Sequence, residues 1–182
     1  MELRILGALE VEEDGRVVRI AGAKQRTLLA LLLLHANEPV PRDRLIEELW
    51  GVKQPQTAAT ALQVHVSQLR KALGRDLIVT RAPGCLIRVA DGELDLECFE
   101  QTVVRARTAS PGEAAALLRE ALALWRGVPF AEIDAPFARA ARARLEEQRL
   151  RPAGAGAPSP PSSRSSPGAA RACRSWLRRG SP

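Results

Sequence analysis

Apolar positions along this chain first alternate with a period of two and later recur with a period near 3.6. That change lays out the elements. Residues 3–7 and 8–11 have the pattern of short strands, and residues 17–20 of a third after the turn at Asp14-Gly15. Residues 23–36, rich in Leu and Ala, predict a helix with a broad apolar face. Pro39-Val40-Pro41 breaks the chain, and residues 42–50 predict a second helix, apolar at Leu45, Ile46, Leu49 and Trp50 and polar at Asp43, Glu47 and Glu48. Gly51 ends it. Residues 57–74 form the clearest helical pattern, with Leu62, Val66, Leu69 and Leu73 on one narrow stripe, Thr57 as N-cap and Gly74 as stop. Residues 77–81 and 85–90 then have strand character around Ala82-Pro83-Gly84, the pattern of a hairpin.

Beyond Asp91-Gly92 the pattern is wholly helical. Asp95 is placed to cap a helix over 96–107 containing Phe99 and Val103. Ser110-Pro111 opens another that runs through Leu117, Leu118, Leu122 and Trp125 to Gly127. Pro136 starts a third, over 137–150. The predicted architecture is α+β. A winged helix-turn-helix over 1–91 has a small N-terminal antiparallel sheet and a C-terminal hairpin wing. A partial all-α domain over 95–150 and a disordered tail over 151–182 follow.

The tail holds six Pro, seven Ser, four Gly and six Arg among its 32 residues and no acidic group. It cannot bury enough apolar surface to fold. The helix ending at Leu150 runs into it without a cap, and two explanations stay open. The tail is unrelated or out-of-frame sequence after a truncation, or it is a basic arm that binds DNA non-specifically.

Composition refines this layout. Apolar residues make up 46% of the 182, but aromatics only 3%, and Tyr is absent, so the core must be built from Leu, Val, Ile and Ala. The net charge of +6 has the look of a nucleic-acid signature until it is divided. Residues 1–90 hold 13 basic against 10 acidic groups, and residues 91–150 hold 8 against 11. The modest excess falls on the half with the 57–74 helix. Cys85, Cys98 and Cys173 are odd in number and far apart. They fit a reducing cytoplasm better than a disulfide framework or a zinc site. The N-terminus lacks the features of a signal peptide, and the longest apolar run, residues 28–34, is far short of the roughly 20 residues a membrane span needs. A soluble protein with no membrane partner is expected.

The outer face of the 57–74 helix carries Thr60, Gln63, Val64, Ser67, Arg70 and Lys71, with no carboxylate among them. Amides and hydroxyls read base edges in the major groove, and Arg or Lys meets guanine or phosphate, so this face suits double-stranded DNA. The plain alternative is a solvated surface helix. Lys24 and Arg26, in a first turn where cations oppose the helix dipole, are candidate contacts to the DNA backbone. Arg81 at the hairpin tip is another, with Arg88 behind it. Of enzyme chemistry there is no sign: no phosphate-binding glycine loop, no H-E-x-x-H, no G-x-S-x-G, and two isolated histidines, His35 and His65. No catalytic residue, metal ligand or cofactor is assigned.

The order of elements resembles the OmpR/PhoB-type winged helix. More closely, the chain resembles the Streptomyces antibiotic regulatory protein family. The matching strings are Gly22-Ala23-Lys24-Gln25-Arg26, Leu45-Ile46-Glu47-Glu48-Leu49-Trp50-Gly51, and the run Leu62-Gln63-Val64-His65-Val66-Ser67-Gln68-Leu69-Arg70-Lys71-Ala72-Leu73. Asp95-Leu96-Glu97-Cys98-Phe99-Glu100 and Leu124-Trp125-Arg126-Gly127-Val128-Pro129 look like the start of the bacterial transcriptional activator domain, which in that family is a tetratricopeptide-like helical array. One departure is Cys85-Leu86, where the family has an aromatic that packs the wing.

The resemblance implies a cytoplasmic, nucleoid-associated transcriptional activator of antibiotic genes that binds promoter direct repeats as a homodimer and contacts RNA polymerase. It also implies a winged helix starting at residue 1 with no receiver domain ahead of it. The competing classes are a protein-interaction module that binds no DNA and a truncated remnant that binds DNA without activating.

Overall fold

The computed structural model describes residues 1–150 and Cys173. The chain opens with an antiparallel sheet of three strands in sequence order: β1 (Glu2–Arg4), β2 (Glu10–Glu13) and β3 (Arg16–Val17). Leu3 faces Val11 across the first pair, and both are buried, while Arg4 stands opposite Glu10. β1 and β3 are shorter than the hydrophobic alternation predicts, and β2 is shifted two residues along the chain. Residues 5–9 leave the ladder because their backbone groups are taken up by the helical half, as described below.

Helix α1 (Ala23–Leu34) is buried without a break from Leu28 to Leu33. A stretch of helix apolar on all sides must be surrounded, and this one is. It packs against α2 (Arg42–Trp50), α3 (Ala58–Leu73) and α6 (Pro136–Leu150). A 3-10 turn at Gly51–Lys53 leads from α2 toward α3. The inward stripe of α3 is the predicted one: Leu62, Val66, Leu69 and Leu73 are all buried, and Ala58 joins them. Thr57 sits at the N-cap, but its side chain makes no capping bond. Its carbonyl accepts from Ala61 N–H at 2.9 Å instead.

The hairpin forms as predicted from β5 (Ile78–Arg81) and β6 (Gly84–Ile87). It also gains a third strand that the sequence pattern did not suggest. Val40–Pro41, where the flanking prolines predict a break, is β4, and it pairs with β6 in a sheet ordered β4-β6-β5. Gly84 permits that approach, because a Cβ there would lie 1.8 Å from the Val40 carbonyl oxygen. At the position where the family carries an aromatic, Cys85 and Leu86 are themselves buried and fill the wing.

Three helices complete the described chain: α4 (Asp95–Ala106), α5 (Pro111–Ala123) and α6. Ser110 and Glu113 close a capping box at the head of α5. Trp125 falls outside α5, in the segment after it, where it packs edge-on against Phe99 at 5.4 Å. A single hydrophobic core runs from Leu3 and α1 through to Phe99, Phe130 and Leu145.

Polar contacts tie the same two halves. Leu3 N–H donates to Glu93 O at 2.7 Å, Arg126 N–H to Leu6 O at 2.8 Å and Phe130 N–H to Gly7 O at 2.8 Å. Asp95 is not only a helix-starting residue. Its carboxylate, 1% exposed, accepts from the Ile5 and Leu6 N–H groups, each at 2.9 Å, and from Leu96 N–H at 2.8 Å. Burial pushes its pKa up to about 6, against the pull of those N–H donors and of Arg126, whose Nη2 is 3.9 Å away.

The expectation that the cysteines stay unpaired is corrected: Cys98 of α4 is disulfide-bonded to Cys173, and Cys85 alone is free. The two partners are 75 residues apart, with no spacing motif to announce them. Apart from Cys173, the expected disorder of residues 151–182 lies outside the described residues.

Candidate nucleic-acid interface

Helix α3 is held by its apolar stripe, so its opposite face is set by the same geometry. Thr60, Gln63, Ser67 and Lys71 are exposed, and Val64 is 48% exposed among them. Among the described residues none of these polar side chains is drawn into a hydrogen bond or ion pair. The helix contains no acidic residue, and its last turn carries Arg70 and Lys71. Arg75, exposed in the turn that follows, continues the run toward Arg81, exposed at the end of β5, and Arg88 is exposed past β6. Asp76 is the one carboxylate within residues 60–90. Sequence reasoning passed over Arg75. Its signal was its place just after Gly74, between the predicted helix and the predicted wing.

Arg70 departs from the other five. It is half-buried, and its guanidinium is turned along the protein: Nε donates to Ile78 O and Nη2 to Thr80 Oγ1, both at 2.8 Å. Of the six residues expected on the DNA-facing side, Arg70 is the one whose side chain is already bonded within the chain.

The two cations of α1 are also engaged. Lys24 Nζ donates to the Leu49 carbonyl and lies 5.9 Å from the centre of the Trp50 ring. A cation at the C-terminal end of α2 is favoured by the helix dipole, which supplies the compensation that its place in α1 lacks. Arg26 donates to Ile20 O at 2.9 Å and Ala21 O at 3.1 Å. On the other side of the same junction, the Trp50 and His65 rings stack at 6.1 Å, and Gln25 Nε2 bonds Gln68 Oε1 at 2.6 Å. These contacts brace α3 against α1 and α2. His65 is thus a packing residue here, on the flank of the outward face.

Two family models match the chain. Residues 15–86 match the transcriptional regulatory protein C-terminal domain, and residues 94–157 match the bacterial transcriptional activator domain. The chain is 36% identical over 151 residues to the regulatory protein AfsR of Streptomyces coelicolor, covering 80% of this chain and 15% of that protein. It is 34% identical over 166 residues to the regulatory protein DnrI of Streptomyces peucetius, covering 82% and 61%. The chain belongs to the Streptomyces antibiotic regulatory protein family.

Members of this family are transcriptional regulators, not enzymes. The antibiotic-regulator architecture extends to a solved structure: Mycobacterium tuberculosis EmbR in complex with a low-affinity phosphopeptide superposes with a TM-score of 0.77 at 30% identity. That match covers 83% of this chain and 43% of EmbR. The chain spans less than two thirds of the length of AfsR, DnrI or EmbR. Among the described residues no helix is long and apolar enough to cross a membrane, and no group of three or more His, Cys, Asp or Glu is placed to hold a metal ion.

Proposed function

We propose that this member of the family is a sequence-specific double-stranded DNA-binding activator of secondary-metabolite genes. Helix α3 enters the major groove with Thr60, Gln63, Val64 and Ser67 toward the bases and Lys71 toward base edge or phosphate. Arg81 and Arg75 meet the flanking backbone, and Lys24 and Arg26 add to it through the N–H donors their internal bonds leave over. The domain division proposed with it is 1–91 for DNA binding, 95–150 for a partial activation domain and 151–182 for the tail.

The observation that carries this reading is the outer face of α3, exposed, free of carboxylates and fixed by a buried stripe on its other side. Membership of the family supports the rest: pairing of two copies on promoter direct repeats, contact with RNA polymerase, and a cytoplasmic site of action at the nucleoid.

The test is a mobility shift on genomic fragments across a salt series. Retention of a small set of fragments, with affinity falling steeply as salt rises, is the expected result. Equal retention of every fragment would leave only non-specific binding. No retention at low salt would leave a protein-interaction module. Specific binding without transcription from the same fragments would leave a DNA-binding remnant.

A further inference from the structure

Between α3 and the wing the backbone passes through Gly74, Arg75 and Asp76, all exposed, with Gly74 at φ +97°. The root of the wing is seated by buried Ile78 and Ile87 and by β4, which pairs with β6 at Val40↔Cys85 and Pro41↔Gly84, but none of these ties β5 to α3 through a side chain. Arg70 spans that turn. From the last turn of α3 its guanidinium reaches eight and ten residues along the chain, to Ile78 O and Thr80 Oγ1 on β5. The Ile78 end is anchored, because that residue is 1% exposed and pairs with Ile87 in the wing. The Thr80 end is at the surface, one residue before Arg81.

We propose that Arg70 is a positioning residue that latches the wing to the reading helix. It fixes where Arg81 meets the duplex relative to the bases read by α3, and it is not itself a base reader. This inference rests on the DNA-binding function proposed above. One edge of the planar fork is spent on the wing, so the guanidinium cannot turn into the groove without releasing β5. The lever is long enough to matter. Arg81 lies three residues past Ile78, roughly 10 Å along an extended strand, and a swing of roughly 20° about the latch moves it by roughly 3–4 Å. A phosphate hydrogen bond does not survive such a shift.

The test uses the full chain and the duplex it selects from a randomised pool, with Arg70→Met, Thr80→Val and the double variant. Arg70→Met keeps the apolar stem and removes the fork. Thr80→Val leaves Arg70 whole and removes one of its two acceptors. The expected loss is about tenfold to a hundredfold for Arg70→Met and about threefold to tenfold for Thr80→Val. Each loss should be the same on every single-base-pair variant of the site, with hydroxyl-radical protection lost only on the flank beneath the wing. The double variant should be no weaker than Arg70→Met.

Flattened preference at one base pair in Arg70→Met, with Thr80→Val equal to the parent, would overturn the latch and make Arg70 a reader. If Arg70→Met fails to fold, Thr80→Val decides, read together with solvent exchange of its Arg70 Nε–H: weaker DNA binding with faster exchange supports the latch, and either one without the other overturns it. If the parent chain selects no sequence, it is the DNA-binding function that fails. The latch is then judged from solvent exchange of the Arg70 Nε–H: slow in the parent and faster in Thr80→Val supports it, and no change contradicts it.

Discussion

The outer face of α3 and the junction around Asp95 use the same kinds of groups in opposite ways. At the junction the charged groups are occupied. Asp95 takes three backbone N–H donors, and Arg126 bonds Glu10 Oε2 at 2.8 Å and Ala8 O at 3.0 Å. Glu132 accepts from Leu9 N–H at 2.8 Å. On α3, the Gln63, Ser67 and Lys71 side chains face solvent and bond to no other described residue. The junction is polar chemistry consumed by folding, and α3 carries polar chemistry that folding leaves unused. Burial and pairing thus separate two groups of residues that composition alone does not distinguish.

The largest effect that would break this contrast is at the junction. Asp95→Ala strands the Ile5, Leu6 and Leu96 donors in a buried site and should lower stability by about 3–5 kcal/mol, measured by denaturant unfolding. The loss should extend to the winged half, because the core is continuous. Independent melting of the two halves would contradict that.

The titration of Asp95 comes next. Its folded pKa of about 6 lies above the ordinary value of 3.8, so ionisation costs the fold. The stability tied to this group is complete below about pH 4, falls as pH rises, and is gone past about pH 6, a change of about 3 kcal/mol. Comparison with Asp95→Asn isolates it: the difference between the two unfolding curves should shift against the parent by that amount from pH 4 to pH 7.

Changes on α3 should be smaller and should leave stability within about 0.5 kcal/mol. Gln63→Ala should cost about 1–3 kcal/mol of binding and relax preference at one base pair. Lys71→Ala should cost about 1 kcal/mol or less on all sequences alike and reduce the salt slope by about one. Loss of stability in either would erase the distinction between the two regions.

Much of this was legible in the chain because it is local. Among the described residues, helices α1 to α6 follow from apolar spacing, and the stripe of α3 leaves no choice about which face is outward. What was not legible joins residues far apart. A two-residue strand at Val40–Pro41 has no period, and it exists only because Gly84 admits it. The strand predicted over 3–7 shrinks and the one predicted over 8–11 shifts two residues on, because Ile5, Leu6 and Leu9 donate to carboxylates some 90 to 123 residues away. Charge at Lys24, Arg26 and Arg70 could be read from the sequence, but not its direction. Each has its cationic end on a backbone carbonyl that only the folded chain brings near. Cys98 and Cys173 belong to the same class.

The central claim is that the free face of α3 meets the duplex. The most direct measurement is amide and side-chain NMR of the full chain as its selected duplex is added. The largest shifts should fall on Thr60, Gln63, Val64, Ser67 and Lys71, with lesser ones at Arg75 and Arg81 and little change at Asp95 and Arg126. Shifts concentrated on α4, α5 or α6, with the α3 face unchanged, would contradict it.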